Sequence, residues 1–240
     1  MKKVFLLVAF IICMMSSGTA LALSYTGSLT QGNLYENGIF NDSQTSLSWT
    51  VTQNQHDWTY FYHWVTNVIK SKNVYYLDFS VASPQTPSAV SLKHGTTSLS
   101  YALTGPSLLT ENHAAWVDAA HTTDISFNHT FEGIKFDFSP NISNNSYKDF
   151  TLSFNSQDAP MWGSFFGYAG STNNFGTALV YNTQFGVATG SAIGDGNNGG
   201  YLLTPGAPVP EPGTICLVGG GLLGMIIVKR KKQLKTGGLT

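Results

Sequence analysis

Short runs in which every second residue is aromatic or aliphatic constrain this chain more than any other feature. Tyr60, Tyr62 and Trp64 alternate with Phe61, His63 and Val65, and after the turn-like Lys70-Ser71-Lys72-Asn73 the residues Tyr75, Leu77, Phe79 and Val81 share one face. The period returns at Ile125 and Phe127, at Ile134, Phe136 and Phe138, at Phe150, Leu152 and Phe154, and at Ala178, Val180 and Asn182. Successive side chains of a strand point to opposite faces, so each run buries one apolar face and turns Ser, Asn, Asp or Lys to water. The pattern predicts an all-β fold closed as a single β-sandwich, jelly-roll-like, with a hairpin between the first two runs. Only Thr110 to Ala120, with Glu111, Ala114, Ala115, Val117, Ala119 and Ala120, favours one or two turns of helix.

The two ends are of another kind. Lys2 and Lys3 precede an apolar run from Val4 to Met15, followed by small residues and the triplet Ala20-Leu21-Ala22. These are the three parts of a secretory signal peptide over residues 1–22, cleaved so that Leu23 becomes the first residue. As a helix, Val4 to Met15 would span roughly 18 Å, well short of a hydrocarbon core of roughly 30 Å. At the other end, Val209-Pro210-Glu211-Pro212-Gly213 leads into an apolar run from Thr214 to Val228 and the cluster Lys229-Arg230-Lys231-Lys232. The prolines hold the motif extended for a peptide-reading protein, and the basic cluster keeps its side of a transmembrane helix cytoplasmic. That helix is about 22 Å long, at the lower limit for a span.

Composition narrows the part between. Charged residues make up 10% of the chain and aromatic residues 13%, so polarity rests on Ser, Thr, Asn and Gln, as in a secreted β-protein. Of the 12 basic residues, Lys2 and Lys3 lie at the start and Lys229, Arg230, Lys231, Lys232 and Lys235 at the end. The middle therefore holds 5 basic residues against 12 acidic ones, Glu211 set aside, and this net charge of −7 excludes nucleic acid as a partner. Both cysteines, Cys13 and Cys216, fall in the end segments, which leaves the middle without disulfide, cysteine nucleophile or cysteine-held metal.

The order of parts at the C-terminal end, Val209-Pro210-Glu211-Pro212-Gly213, a glycine-rich short helix and an immediate Lys/Arg cluster, resembles the sorting region of PEP-CTERM proteins. The resemblance implies recognition of Pro210, Glu211 and Pro212 by an exosortase, a membrane-embedded enzyme of cysteine-transpeptidase type, followed by removal of the helix. It also implies transit through the inner membrane of an exopolysaccharide-producing Gram-negative cell to the cell surface or extracellular matrix. Gly133-Ile134-Lys135-Phe136-Asp137, Phe150 to Phe154, Ala159-Pro160-Met161-Trp162-Gly163 and Phe166 resemble a β-rich ectodomain of that family, in which a KFD-type strand precedes an aPvWG turn and an aromatic strand. At Tyr75-Tyr76-Leu77-Asp78 the chain departs from it, lacking a Ser-His pair. The expected organisation is a signal peptide at 1–22, a β-rich ectodomain at 23–193, a linker at 194–208 and a sorting signal at 209–233. Within the linker, Gly194 to Gly200 reads as a flexible turn and Thr204 to Val209 as a semi-rigid spacer.

Chemistry has little support in the pattern. The carboxylates Asp57, Asp78, Glu111, Asp118, Asp124, Glu132, Asp137, Asp149, Asp158 and Asp195 are scattered, and a glycosidase pair is defined by a distance that sequence does not supply. His56, His63, His94, His113, His121 and His129 lack zinc-ligand spacing, Asp195-Gly196-Asn197 lacks the twelfth-position acid of a calcium loop, and no G-x-S-x-G element occurs. No cofactor, metal or catalytic residue is expected. Trp49, Trp58, Trp64, Trp116 and Trp162 are expected mainly in the core, with Trp58 and Trp162 the candidates for stacking on sugar rings. The leading reading is a non-enzymatic exported surface or matrix protein associated with exopolysaccharide. The alternatives are a carbohydrate-binding module, a polysaccharide-acting enzyme, or an adhesin that self-associates through sheet edges.

Overall fold

Alternation in the sequence becomes alternation in burial. In β3 (Ser46–Gln53) and β4 (Trp58–Val65), Leu47, Trp49, Val51, Trp58, Tyr60, Tyr62 and Trp64 are buried, and the residues between them are partly or fully exposed. β10 (Asp149–Ser156) repeats the pattern with Phe150, Leu152 and Phe154. The computed structural model describes residues 22–36, 44–66, 74–82, 85–114, 126–138, 149–169, 178–187 and 191–208.

Two six-stranded sheets carry the fold. The first has the order β1-β3-β4-β10-β6-β7, its other strands being β1 (Ser24–Leu29), β6 (Ser88–His94) and β7 (Thr97–Ser98). The second has the order β2-β13-β12-β5-β9-β8, formed by β2 (Leu34–Glu36), β5 (Val74–Ser80), β8 (Ala102–Ala114), β9 (Ser126–Asp137), β12 (Phe165–Ala169) and β13 (Ala178–Asn182). β11 (Asp158–Gly163) and β14 (Leu202–Pro208) form a third, two-stranded pair. Rings from the two large sheets meet between them: Tyr62 stacks on Phe79 at 4.4 Å between centroids, Phe154 on Phe136 at 5.5 Å, and Trp64 meets Phe165 edge-on at 6.2 Å. This aromatic layer makes the fold all-β and sandwich-like, each buried aromatic side chain contributing about 1.5–3 kcal/mol against exposure.

Several expectations are corrected. β4 and β5 do not form a hairpin: β4 pairs with β3 and β10, β5 with β12 and β9, so consecutive aromatic runs lie in opposite sheets and face each other across the core. Thr110 to Ala114 is strand, not helix, because pairing with Ser126–Thr130 outweighs a weak local helix preference. Residues 115–120 lie outside the described residues. The spacer expected from Thr204 belongs to β14 as far as Pro208, with Thr204, Pro205 and Gly206 buried. Ala159 to Gly163, a turn by the family resemblance, lies in the strand Asp158–Gly163, which buries Pro160 and Trp162.

The turn at Gly194 to Gly200 is fastened to an edge strand. Gly196 N–H donates to the Thr26 carbonyl at 2.8 Å, Thr26 N–H donates to Asp195 Oδ1 at 2.7 Å, and Asn197 Nδ2 donates to the Ser28 carbonyl at 3.0 Å. The edge of β1 that does not face β3 is thereby occupied by this chain's own loop, as sheet edges in stable proteins generally are.

Two compact units divide the chain, Met1–Ala207 and Pro208–Thr240, and the features above, apart from the last residue of β14, belong to the first. The signal peptide up to residue 21, the motif Val209 to Gly213, the helix Thr214 to Val228 and the cluster Lys229, Arg230, Lys231 and Lys232 lie outside the described residues. Among the described residues no helix is long and apolar enough to cross a membrane.

Candidate functional site

The outer face of the first sheet is a grid of short polar side chains. Register across five strands gives three rows: Ser28, Ser48, His63, Thr151 and Lys93; Thr26, Thr50, Phe61, Ser153 and Ser91; Ser24, Thr52, Thr59, Asn155 and Ser88. Each row runs about 19 Å, four interstrand spacings of about 4.8 Å. Phe61, 40% exposed, sits in the middle row as the aromatic side chain at the centre of the grid. One end of the grid is fixed by a network in which Asn54 Nδ2 donates to Asp57 Oδ1 at 2.6 Å, Asn155 Nδ2 to Asp57 Oδ2 at 3.1 Å, and Thr59 Oγ1 to Asn155 Oδ1 at 3.0 Å. At the other end His63 Nε2 lies 2.8 Å from Asp149 Oδ1.

The second sheet carries a different face. Strands β8 and β9 pair as far as Thr104 and Lys135, slip register at Gly105-Pro106, and resume pairing at Ser107 and Gly133. Glu111 stands opposite His129, six residues from Lys135 and so about 20 Å away along a straight strand. Yet Lys135 Nζ donates to Glu111 Oε1 at 2.8 Å, so the distal half of the hairpin bends back over the sheet. Phe127, from that distal half, stacks on Phe166 of β12 at 4.1 Å. Glycine is required at the bend: Gly105 has φ +99°, and a side chain on Gly133 would meet the Phe131 ring and Leu109 Cδ1 within 2.8 Å.

Under this flap lies a buried group of ionisable residues. Asp78 is 0% exposed and Glu111 5%. Tyr76 donates its hydroxyl to Glu111 Oε2 at 2.6 Å, and Lys135 Nζ lies 3.4 Å from the centroid of the Tyr76 ring. Asp78 stands opposite Lys135 in the register of β5 and β9, and Asp137 opposite Tyr76. Neither carboxyl oxygen of Asp78 has a hydrogen-bond partner. Burial pushes the Asp78 carboxyl up to about 8, Lys135 opposing the rise and Glu111 and Asp137 adding to it. Burial, and then Glu111, hold the Tyr76 phenol far above its usual range, so it remains a donor. Sequence alternation assigned Leu77 and Phe79 to the core and said nothing of Tyr76 and Asp78 between them. The one available signal was an acid at the centre of a strand whose neighbours on both sides are apolar.

The candidates read from sequence fall elsewhere. Trp58 and Trp162 are each 6% exposed within the main core, and Trp162 Nε1 donates to the Ala192 carbonyl at 3.0 Å, so neither indole offers a face to a sugar ring. Trp49 and Trp64 are core residues as expected. Trp116, Asp118, Asp124 and His121, and the side chain of His113, lie outside the described residues. Ala22 and Leu23 are exposed ahead of β1. Among the described residues no three His, Cys, Asp or Glu side chains cluster as a metal centre would require.

No curated protein matches the chain. Among solved structures, the KRT10-binding region domain of the pneumococcal serine rich repeat protein PsrP aligns with 17% identity and a TM-score of 0.27, over 65% of this chain and 91% of that one. The likeness is too slight to bear on the fold or the function. The family description of the PEP-CTERM protein-sorting motif matches residues 208–232, where the Pro-Glu-Pro motif, the apolar run and the basic cluster follow one another, and the chain is thus a PEP-CTERM domain-containing protein.

Proposed function

We propose that this protein is exported with removal of residues 1–22, held in the inner membrane by the helix 214–228, and released or anchored by an exosortase acting at Pro210-Glu211-Pro212. Its β domain then serves outside the cell as a non-enzymatic surface or matrix protein that binds exopolysaccharide. The sorting motif supports the first part. The observation that carries the second is the grid on the first sheet, where hydroxyl and amide groups at strand spacing surround the exposed ring of Phe61. Sugar hydroxyls match such a grid by hydrogen bonding, and the apolar face of a pyranose stacks on an aromatic ring. This contact replaces Trp58 and Trp162, whose indoles are occupied by the core. A non-enzymatic role is favoured because the carboxyl group of Asp78 and that of Glu111 are sealed beneath the β8–β9 flap rather than set in a groove.

The test is retention of the protein on immobilised exopolysaccharide from an exosortase-bearing host. Phe61→Ala and Thr50→Ala should each weaken retention several-fold with the fold intact by circular dichroism. Retention equal to the parent in the double variant would exclude the grid as the binding surface.

A further inference from the structure

Buried ionisable groups need a reason to be there. A carboxyl group removed from water without a hydrogen-bond partner is costly, and a lysine beside it adds a second desolvated group. In this fold the Asp78 carboxyl is fully buried with both oxygens unpartnered, directly opposite Lys135 on the neighbouring antiparallel strand. Side chains so placed have Cβ atoms about 5 Å apart, within reach of a bond between Nζ and Cγ. Glu111 Oε1 lies 2.8 Å from Nζ, and the other Glu111 oxygen is held by the Tyr76 hydroxyl at 2.6 Å. Aromatic rings surround the group, Tyr76 packing on Phe166 and Tyr168.

We propose that Lys135 and Asp78 condense within the folded chain to an amide joining Nζ to Cγ, with Glu111 as the proton acceptor. The folded protein keeps the Asp78 carboxyl protonated near neutral pH, which makes its hydroxyl a leaving group. Glu111 takes a proton from the Lys135 ammonium. The neutral amine attacks Asp78 Cγ, forming the C–N bond and a tetrahedral centre. The C–O bond to the hydroxyl then breaks, and that oxygen leaves as water with one proton that began on Nζ. The remaining surplus proton stays on Glu111, so the products are an amide, one water and a neutral Glu111 carboxyl. No oxidant or cofactor is consumed. A partly buried ammonium, a buried carboxylate and a buried carboxyl are replaced by two neutral groups able to hydrogen-bond each other.

The product would be a covalent tie between β5 and β9 in a domain whose chain has both of its cysteines outside it, at Cys13 and Cys216. The bond needs neither an oxidising compartment nor an isomerase, which suits a protein stationed outside the cell.

Mass spectrometry of the mature, denatured protein tests this. The parent should be lighter by one water than its sequence requires, and a protease digest should yield a branched peptide joining the segments that contain Asp78 and Lys135. Lys135→Arg and Asp78→Ala should have full mass, and Glu111→Gln should have full mass while still folded by circular dichroism. A parent of full mass, with Lys135 labelled by an amine-reactive reagent after denaturation, overturns the proposal. Loss of water that persists in Lys135→Arg would place the dehydration at Asp78 alone and overturn it equally. Loss that persists in Glu111→Gln would remove Glu111 from its assigned role.

Discussion

The hydroxyl of Tyr62 donates to the main-chain carbonyl of Leu203 at 2.7 Å, tying the middle of the first sheet to β14. Both residues are buried. Tyr62→Phe keeps the ring packed against Phe79 and removes this buried hydrogen bond, so it should lower stability by about 1–2 kcal/mol. A urea unfolding midpoint that does not move would show that water reaches this carbonyl.

Tyr60 and Tyr62 predict an alkaline limit. Burial raises both phenols well above 10.0, and for Tyr60 the neighbouring Tyr62 and Asp158 add to the effect. In the unfolded chain these groups ionise near 10, whereas in the folded chain they keep their protons. The unfolded state therefore binds fewer protons above that pH, and stability falls as pH rises further. Absorbance of tyrosinate should appear for these residues together with loss of near-ultraviolet circular dichroism, and should precede it only if the core admits hydroxide.

Asp195 and Asn197 guard the edge of β1. Asp195→Ala together with Asn197→Ala removes the side-chain acceptor for Thr26 N–H and the donor to the Ser28 carbonyl. The exposed edge should then pair with a second copy. Sedimentation velocity is expected to show a concentration-dependent dimer in the double variant and a monomer in the parent at the same concentrations.

Processing makes its own prediction. In the native host the protein should begin at Leu23 and end close to Pro210-Glu211-Pro212 only when the exosortase is present. A product that retains Lys229 to Lys232 with and without the enzyme would identify the helix as a permanent anchor.

Much was written in the order of residues. Polar and apolar alternation placed Tyr60, Tyr62, Trp64, Phe150, Leu152 and Phe154 in a core because a strand has a period of two, a property of the local backbone. The sorting motif is likewise a linear signal, legible from consecutive residues 208–232 without reference to the fold. Asn182 marks where this legibility stops. It follows Val180 on the buried face, and its side chain is buried because Oδ1 accepts from Phe165 N–H and Nδ2 donates to the Gly200 carbonyl, both at 2.9 Å. Nothing adjacent to Asn182 announces those partners. The same holds for the pairing of β4 and β5 with strands far along the chain, for the rows that put Phe61 among hydroxyls, and for the group of Tyr76, Asp78, Glu111 and Lys135. Which face a side chain takes was set by its neighbours in sequence. Which groups meet was decided by strand order, register and the bend at Gly105 and Gly133, because those contacts join residues whose proximity exists only once the sheets have formed.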